Sequence, residues 1–286
     1  MHLNRIVIAT DESEAGRQAV RAGCELARRT SAHIFILRVV SHRALAAAGQ
    51  ALGGPSHEEM DQSEHERLRR WLDTELSLDG VAGEVELGIA AGVPSVEISR
   101  FAENYRADLL VLGRKSRSQA ARLLVGDTAD AVARRSRVPC LFVPAGAGPL
   151  RRMLVALDGS ERGMVVLQRA CSFARDAGAA LRVVTVEPAV PGEEGAAPEP
   201  PLARSHRLAS RARQIVRREL GEEALVTVEI RRGEPADELV AAVEDPGTEV
   251  LVVGFHRGGP PGVLEAGSTA RRLAHLAPCA VLTIPL

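Results

Sequence analysis

The sequence predicts an α/β protein made of two copies of one domain, each an open parallel β-sheet flanked by helices. Three observations favour this fold class. The chain repeats itself once at long range, and short β-branched runs alternate with amphipathic segments in both halves. Apolar residues make up 45% of the 286 residues, but aromatic residues only 2%. Aliphatic strands covered by alanine-rich helices are typical of such a composition.

The repeat is visible when the two halves are compared directly. RIVIATDESEAGRQAVRAGCELARR in the first half corresponds to RMLVALDGSERGMVVLQRACSFARD in the second. Matched residues keep one spacing early in the copies and a shorter one later: Asp11 with Asp158, Ser13 with Ser160, Cys24 with Cys171, Gly113 with Gly254, and Cys140 with Cys279. Small deletions in loops explain the change. A breaker cluster, AGAGPLRR, separates a domain at residues 1–146 from one at 150–286.

Local patterns predict the order β-α-β-α-β-α-β-α-β for the first copy, which favours right-handed parallel crossovers. Short apolar runs predict strands at Ile6–Ala9, Ile34–Val40, Glu84–Leu87, Leu109–Leu112 and Leu141–Val143. Helical spacing predicts one helix after the turn at Thr10–Ser13 and others at Glu58–Leu78, Val93–Tyr105 and Asp127–Arg137. Ser13 is predicted to cap the first helix. The inward face of the second is predicted to carry Met60, Leu68, Trp71, Leu72 and Leu76.

The second copy repeats this order, with one distinctive segment. Residues 187–201, EPAVPGEEGAAPEPP, stand in place of the loop that the first copy has at Ser41–Ser56. A segment so rich in Pro, Gly and Glu cannot bury much apolar surface, and we expect it to be a mobile excursion.

Charge and composition exclude several classes of function. The net charge is -1 and the pI is near 6.7, so there is no electrostatic reason to expect nucleic-acid binding, and the aromatic residues needed for base stacking are scarce. No apolar run reaches membrane-spanning length and no secretory signal precedes the first strand, so we expect a cytoplasmic protein. A P-loop, GxGxxG, GxSxG and HExxH are all missing, so no enzyme is indicated.

Candidate binding residues follow the first and fourth strands. Ligands of open parallel sheets bind at the carboxyl ends of the strands, where the strand order reverses. In each copy an aspartate follows strand one, Asp11 or Asp158, and a glycine follows strand four, Gly113 or Gly254. Each glycine opens a loop that leads into a helix, over residues 113–128 or 254–269. Glycine allows close backbone approach and a helix N-terminus favours anions, so both loops are candidate phosphate sites.

The DGS turn, the GxP before the third helix, the ADLLVLG strand and the PC before the last strand resemble the universal stress protein family. The resemblance covers nearly all of both halves. It implies two tandem Rossmann-like domains of the adenine nucleotide alpha hydrolase-like type, each a five-stranded parallel sheet of order 3-2-1-4-5, without established catalysis. It also implies pairing of the two domains through their last strands, and it allows a homodimer.

ATP-binding members of that family carry a motif of the form G-x2-G-x9-G-[ST] and an aspartate after strand one near the adenine. In the second copy Arg257 replaces the middle glycine, although Gly258 follows it directly. The resemblance therefore implies a site for ATP with Mg²⁺, or for AMP, formed by Asp158, Gly254, Arg257, Gly258, Gly267, Ser268 and Thr269.

The first copy departs further from the motif. Ser116 stands at the middle glycine and Asp127 stands where serine or threonine belongs. Asp127 would cap the helix with its own carboxylate and repel a phosphate there, unless Arg114, Lys115 and Arg117 compensate. The resemblance thus implies only a weaker site in the first copy, formed by Asp11, Gly113, Gly126 and Thr128.

Several of these residues also have a purely structural interpretation. Asp11 and Asp158 could serve only as turn formers, and the four cysteines are interpreted as small buried hydrophobes. His57, Asp61 and His65 have a spacing that a zinc site could use, but a solvated charged helix face is favoured. The arginine-rich run at Arg204–Arg218 is interpreted in the same way.

Two hypotheses on function remain open. The first is a nucleotide-sensing module that binds ATP or AMP in its second copy and has at most incidental ATP hydrolysis. The second is a scaffold that binds no nucleotide and acts through domain pairing and protein partners, which the broken motifs favour. A ligase of the pyrophosphatase-loop type is disfavoured, because ATDESE and ALDGSE stand where its SGGxDS-type loop belongs.

Overall fold

The computed structural model describes residues 2–41, 57–75, 85–114, 128–187, 201–224, 226–245, 247–255, 272–273 and 276–286. The chain divides into two compact units, residues Leu3–Ala147 and residues Gly148–Leu286, with His2 grouped with the second. The predicted loop at 42–56, the segment at 188–200 and most of both candidate phosphate loops lie outside the described residues.

The first unit follows the predicted order of strands and helices. Its elements are β1 (Arg5–Ala9), α1 (Glu14–Thr30), β2 (His33–Val40), α2 (His57–Glu75), β3 (Val85–Ala91), α3 (Pro94–Asn104), β4 (Leu109–Arg114), α4 (Thr128–Arg135) and β5 (Cys140–Pro144). Neighbouring strands are parallel, in the order β3-β2-β1-β4-β5. The sheet order 3-2-1-4-5 is therefore confirmed.

The second unit repeats this plan. Its elements are β6 (Arg152–Leu157), α5 (Glu161–Ala177), β7 (Ala180–Glu187), α6 (Pro201–Leu220), β8 (Thr227–Arg232), α7 (Pro235–Glu244), β9 (Val250–Phe255) and β10 (Ala280–Pro285). The strands are again parallel, in the order β8-β7-β6-β9-β10. Most of the helix predicted between β9 and β10 lies outside the described residues.

A serine starts the first helix of each unit. Ser13 Oγ accepts a hydrogen bond from the Gly16 N–H at 3.2 Å, and Ser160 Oγ accepts one from the Gly163 N–H at 3.0 Å. Each hydroxyl satisfies an amide that the helix itself leaves without a partner. The predicted cap at Ser13 is confirmed, and the same contact recurs in the second copy.

The third strand is longer than the sequence indicates. The prediction ended it at Leu87, whereas β3 continues to Ala91 in register with the end of β2. Gly88 directly follows the predicted end, and glycine is unusual inside a strand because it weakens strand interiors. Its missing side chain has a packing cause: a Cβ there would lie 2.5 Å from Phe35 Cζ on the neighbouring strand.

The centre of each sheet consists of fully buried aliphatic residues. In the first unit Ile6, Val7 and Ile8 of β1 are completely buried, as are residues 109–111 of β4. Of the residues predicted to face inward from α2, Leu68 and Leu72 are buried and Trp71 is half-buried. The side chains of Met60 and Leu76 lie outside the described part of the chain.

One position on the second strand carries an aromatic side chain in the first unit and a charged one in the second. In the first, Phe35 on β2 contacts Phe101 on α3 and Tyr105 just after its end, with ring centroids 4.4 and 5.4 Å apart. In the second, Arg182 occupies the matching place on β7, and its Nη2 lies 2.6 Å from Glu229 Oε2 on β8. Burial opposes the charge of Glu229, but hydrogen bonds from Arg231 and Arg182 outweigh it, so the pKa of Glu229 lies below its usual value.

An acidic residue clamps the amino end of the first strand in each unit. Asp108 Oδ2, just before β4, accepts hydrogen bonds from the N–H groups of Asn4 and Arg5, both at 2.9 Å. Glu249 Oε2, just before β9, accepts from Arg151 and Arg152 at 2.8 and 3.0 Å. The acid in the ADLLVLG and TEVLVVG strands thus supports the fold at the edge of the sheet opposite the candidate site.

All four cysteines are buried, as expected for small hydrophobes. Burial raises the pKa of Cys24 to about 11 and that of Cys171 to about 12. We therefore expect the folded chain to react far more slowly with a thiol reagent at pH 8 than the unfolded chain, because only the thiolate attacks. Absorbance with Ellman's reagent, with and without guanidinium, measures this. Four rapid equivalents from the folded chain would contradict the expectation.

The described residues include no group of three or more His, Cys, Asp and Glu side chains placed to hold a metal ion. His65 makes a 3.1 Å hydrogen bond with the Leu87 carbonyl, while the side chains of His57 and Asp61 lie outside the described residues.

The arginine-rich face of α6 is exposed, as Arg207, Arg211, Arg213 and Arg217 show. This confirms the solvated face predicted there. Within the described part of the chain, no helix is long and apolar enough to cross a membrane.

Candidate functional site

The carboxyl end of the first strand carries the same hydrogen-bonded turn in both units. Asp11 Oδ1 accepts from the N–H of Ser13 at 3.1 Å and from its hydroxyl at 2.5 Å. Asp158 Oδ1 accepts the matching bonds from Ser160 at 3.0 and 2.8 Å. Since each serine also caps the following helix, the aspartate orients the cap. The structural interpretation of both aspartates is therefore confirmed as one of their roles.

The second carboxylate oxygen is not used by this turn. Within the described residues, Oδ2 of Asp11 and Oδ2 of Asp158 accept no hydrogen bond. Asp158 is exposed, as is Asp11. Each carboxylate is thus held in a fixed orientation by one oxygen and presents the other at the carboxyl edge of its sheet, where a ligand could donate to it.

Gly113 lies on the neighbouring strand at the same edge of the sheet. Ala9 of β1 is in register with Leu112 of β4, so Gly113 comes one step beyond, beside the turn that holds Asp11. A Cβ on Gly113 would lie 2.5–2.7 Å from backbone atoms of Ala15 and Gly16 in the first turn of α1. The close backbone approach predicted for this glycine therefore exists, but its partner is the helix.

Gly254 occupies the matching position in the second unit with different neighbours. A Cβ there would meet Val166 Cγ2 at 2.7 Å and Leu286 Cδ1 at 2.9 Å. Both atoms are ends of side chains, so the restriction is softer than at Gly113. The structure brings Asp158 and Gly254 to adjacent strand ends, as it does Asp11 and Gly113.

The GxP segment opens the third helix at this same edge. Gly92 donates its N–H to the Val40 carbonyl and Gly233 donates to the Glu187 carbonyl, both at 3.0 Å. Glu234 Oε2 then caps α7, accepting from Ala236 N–H at 2.8 Å and from Asp237 N–H at 3.0 Å. Val93 stands at that position in the first unit, exposed and without a side-chain cap.

Most of the predicted phosphate-binding residues lie outside the described residues. These are Gly126 in the first copy and Arg257, Gly258, Gly267, Ser268 and Thr269 in the second. Ser116 and Asp127, the two departures from the motif in the first copy, also lie outside the described residues. Thr128 is described and is the first residue of α4. For the rest of the motif the sequence-based prediction stands as it was made.

The residue that follows the turn aspartate differs between the two units. Glu12 has a φ of 61° and Gly159 one of 77°, so both adopt the left-handed conformation. Glu12 is ion-paired with Arg38 and Arg67, whereas the nearest described atom to a Cβ on Gly159 would be Leu208 Cδ2, at 3.2 Å. The sequence signal for this difference is DES in the first copy against DGS in the second.

Comparison with known protein families matches the two units separately. The profile of the universal stress protein family matches residues 2–144 and again residues 149–285. The chain belongs to the universal stress protein family. Each compact unit thus carries one universal stress protein domain, with its strand-one aspartate and strand-four glycine at one edge of the sheet.

Individual relatives fit this assignment. A universal stress protein of Methanocaldococcus jannaschii is 27% identical over 139 residues, which is 49% of this chain and 81% of that protein. One of Synechocystis is 26% identical over 157 residues, which is 50% of this chain and 99% of the relative. The solved universal stress protein of Archaeoglobus fulgidus is 20% identical over 100% of this chain and 99% of its own, with a TM-score of 0.74. That structure supports the tandem two-domain fold.

Proposed function

We propose that this tandem universal stress protein is a regulatory binding protein whose second unit takes an adenine nucleotide, ATP with Mg²⁺ or AMP, at the carboxyl edge of its sheet. The observation that carries the proposal is Asp158, a carboxylate fixed by Ser160 through one oxygen and open at the other. Fixed hydrogen-bond acceptors at the switch point of a parallel sheet are the usual means of orienting a nucleoside.

The described residues favour the second unit over the first. Gly159 adds neither side chain nor charge beside Asp158, whereas Glu12 adds a carboxylate beside Asp11. The Glu12 side chain, held by Arg38 and Arg67, occupies space at the mouth of the first unit that Gly159 leaves without a side chain in the second. Asp158 and Gly254, with the undescribed Arg257, Gly258, Gly267, Ser268 and Thr269, are the proposed nucleotide-binding residues. Asp11, Gly113, Gly126 and Thr128 are proposed as the weaker counterpart.

We further propose that the protein binds without catalysis and works in the cytoplasm, where adenine nucleotides are plentiful. Among the described residues, no activated nucleophile stands at this edge, since Ser13 and Ser160 donate their hydroxyls to aspartates and cap helices. Each hydroxyl is thus engaged both as a donor to the aspartate and as an acceptor from the helix amide, so we expect it to be a weak nucleophile.

Calorimetric titration of the full chain with MgATP and with AMP tests the nucleotide proposal. We expect one site per chain, and we expect Asp158→Asn to weaken it by about tenfold, the effect of losing one charge-assisted hydrogen bond. Asparagine keeps an oxygen for Ser160, so the helix cap survives. The matched control is Asp11→Asn, which changes the same turn in the first unit and is expected to leave the affinity within about twofold.

A second candidate function is a scaffold that binds no nucleotide. It is favoured by the turn itself, because helix capping and helix packing already explain both aspartates and Gly113 without any ligand. No heat of binding at millimolar MgATP or AMP would reject the nucleotide proposal and leave the scaffold. Binding that Asp11→Asn weakens as much as Asp158→Asn would reject the preference for the second unit.

A further inference from the structure

Four charged side chains meet at the carboxyl ends of β1 and β2 in the first unit: Glu12, Arg38, Glu64 and Arg67. Glu12 Oε1 accepts from Arg38 Nη1, and Glu12 Oε2 lies 3.1 Å from Arg67 Nη2. Glu64 on α2 approaches both arginines from the other side, 2.8 Å from Arg38 Nε and 3.7 Å from Arg67 Nη1. One carboxylate, that of Glu12, therefore has a guanidinium on each of its two oxygens.

The stability of the turn does not explain this arrangement. Glu12 adopts a φ of 61°, a left-handed conformation that is unfavourable for a residue with a side chain. The second unit builds the same turn with Gly159, so no side chain is needed there. The side chains of Glu12 and Arg38 are only 11% and 15% exposed. Ion pairs withdrawn from water to this extent bring little net stability, because desolvation offsets their attraction.

We propose that Arg38 and Arg67 form an oxyanion-binding site at the mouth of the first unit, and that Glu12 is an internal ligand that closes it. Two arginines on the two oxygens of one anion are how proteins recognise carboxylates and phosphates. The site lies where parallel sheets bind their ligands. The Arg67 side chain is 55% exposed, so an anion from solvent can reach it.

The charge balance of the cluster favours exchange of one anion for another. With Glu12 in place, two arginines face two carboxylates, and the cluster is neutral. When Glu12 turns away, the two arginines and Glu64 leave one net positive charge for an incoming oxyanion. The ligand class is therefore a small carboxylate or a phosphate monoester, and binding it would displace the Glu12 side chain from the two arginines.

The second unit provides the natural comparison because it lacks the site. Gly159, Thr185 and Leu208 stand at the places of Glu12, Arg38 and Glu64. Arg211, the counterpart of Arg67, instead pairs through both its terminal nitrogens with Glu161, at 2.5 and 2.6 Å. The proposed oxyanion site lies in the first unit alone, so its test is independent of nucleotide binding in the second.

The test uses the variant Glu12→Gly, which removes the internal ligand. Glycine is the residue that the second unit has at this position, with a similar φ. Unfolding of the first unit is followed by fluorescence of Trp71, the single tryptophan of the chain. The unfolding midpoint is recorded against increasing phosphate, acetate or chloride at constant ionic strength. We expect phosphate or acetate to stabilise the variant saturably, with half-saturation about tenfold lower than in the wild type, where Glu12 competes for the site.

The control is the double variant Glu12→Gly with Arg38→Thr, which copies the second unit at both positions. It is expected to respond to phosphate and acetate no more than to chloride. A stronger response to phosphate than to acetate would identify a phosphate site, and the reverse a carboxylate site. The proposal is overturned if Glu12→Gly responds like the wild type, or if the double variant keeps the response of the single one.

Discussion

Gly113→Ala is expected to destabilise the first unit by about 3 kcal/mol, the upper range for forcing a methyl group into a well-packed interior. The reason is the identity of the atoms in the way. A Cβ at this position would lie 2.5–2.7 Å from the backbone of Ala15 and Gly16, and a helix backbone cannot turn aside as a side chain can. Urea unfolding followed by Trp71 fluorescence measures the change in the free energy of unfolding.

Gly254→Ala is the matched control in the second unit. Its new methyl group would meet the ends of the Val166 and Leu286 side chains, which can move. We expect it to cost about 1 kcal/mol, measured by far-UV circular dichroism in urea. Equal losses in the two variants would show that the contact between α1 and β4 in the first unit is not the tight one described here.

Asp108→Ala is expected to cost the first unit about 2 kcal/mol, through a different mechanism. The substitution leaves the N–H groups of Asn4 and Arg5 without the carboxylate that accepts from both at 2.9 Å. Hydrogen bonds to a charged acceptor contribute more than neutral ones, although the partial exposure of this edge lets water replace some of the loss. The urea midpoint from Trp71 fluorescence reports the effect.

Asp108→Asn separates charge from geometry at this position. Its amide oxygen can still accept one hydrogen bond, so we expect it to recover about half of the loss seen in Asp108→Ala. Nucleotide titration of both variants should match the wild type, because Asp108 lies at the amino end of β4 and the candidate site at the carboxyl ends. If Asp108→Ala unfolds at the wild-type urea concentration, the clamp has no energetic role.

The repeat and the period of its apolar residues predicted two parallel α/β domains, and the family resemblance added the strand order. Ser13 and Ser160 fix the starts of the first helices by local hydrogen bonding alone, so a short stretch of sequence predicts them. The strand ends that carry Asp11, Asp158, Gly113 and Gly254 follow from parallel topology. These features depend on neighbours along the chain or on a general rule of sheet geometry, which is why sequence reasoning reached them.

Contacts between residues far apart in sequence were beyond its reach. The contact of Gly88 with Phe35 joins two strands, so the local pattern around Leu87 gave no sign that β3 continues. Arg182 and Glu229 have no local signal either, because only the pairing of β7 with β8 brings them together. The same holds for Glu12 with Arg38 and Arg67, since such pairs depend on register and helix placement.

The turn after each first strand divides one carboxylate between two tasks. One oxygen of Asp158 orients Ser160 and so fixes the start of α5, whether or not anything binds to the other oxygen. Loss of a ligand would therefore not release the position from selection, because a side chain without a matching acceptor oxygen would still damage the helix start. We therefore expect a copy that no longer binds a ligand to keep this aspartate, because the fold still needs it. Positions that have no such structural role are better indicators of ligand binding, because they can change when a copy stops binding. In the described residues the clearest example is the position after the aspartate, which is Glu12 in the first unit and Gly159 in the second.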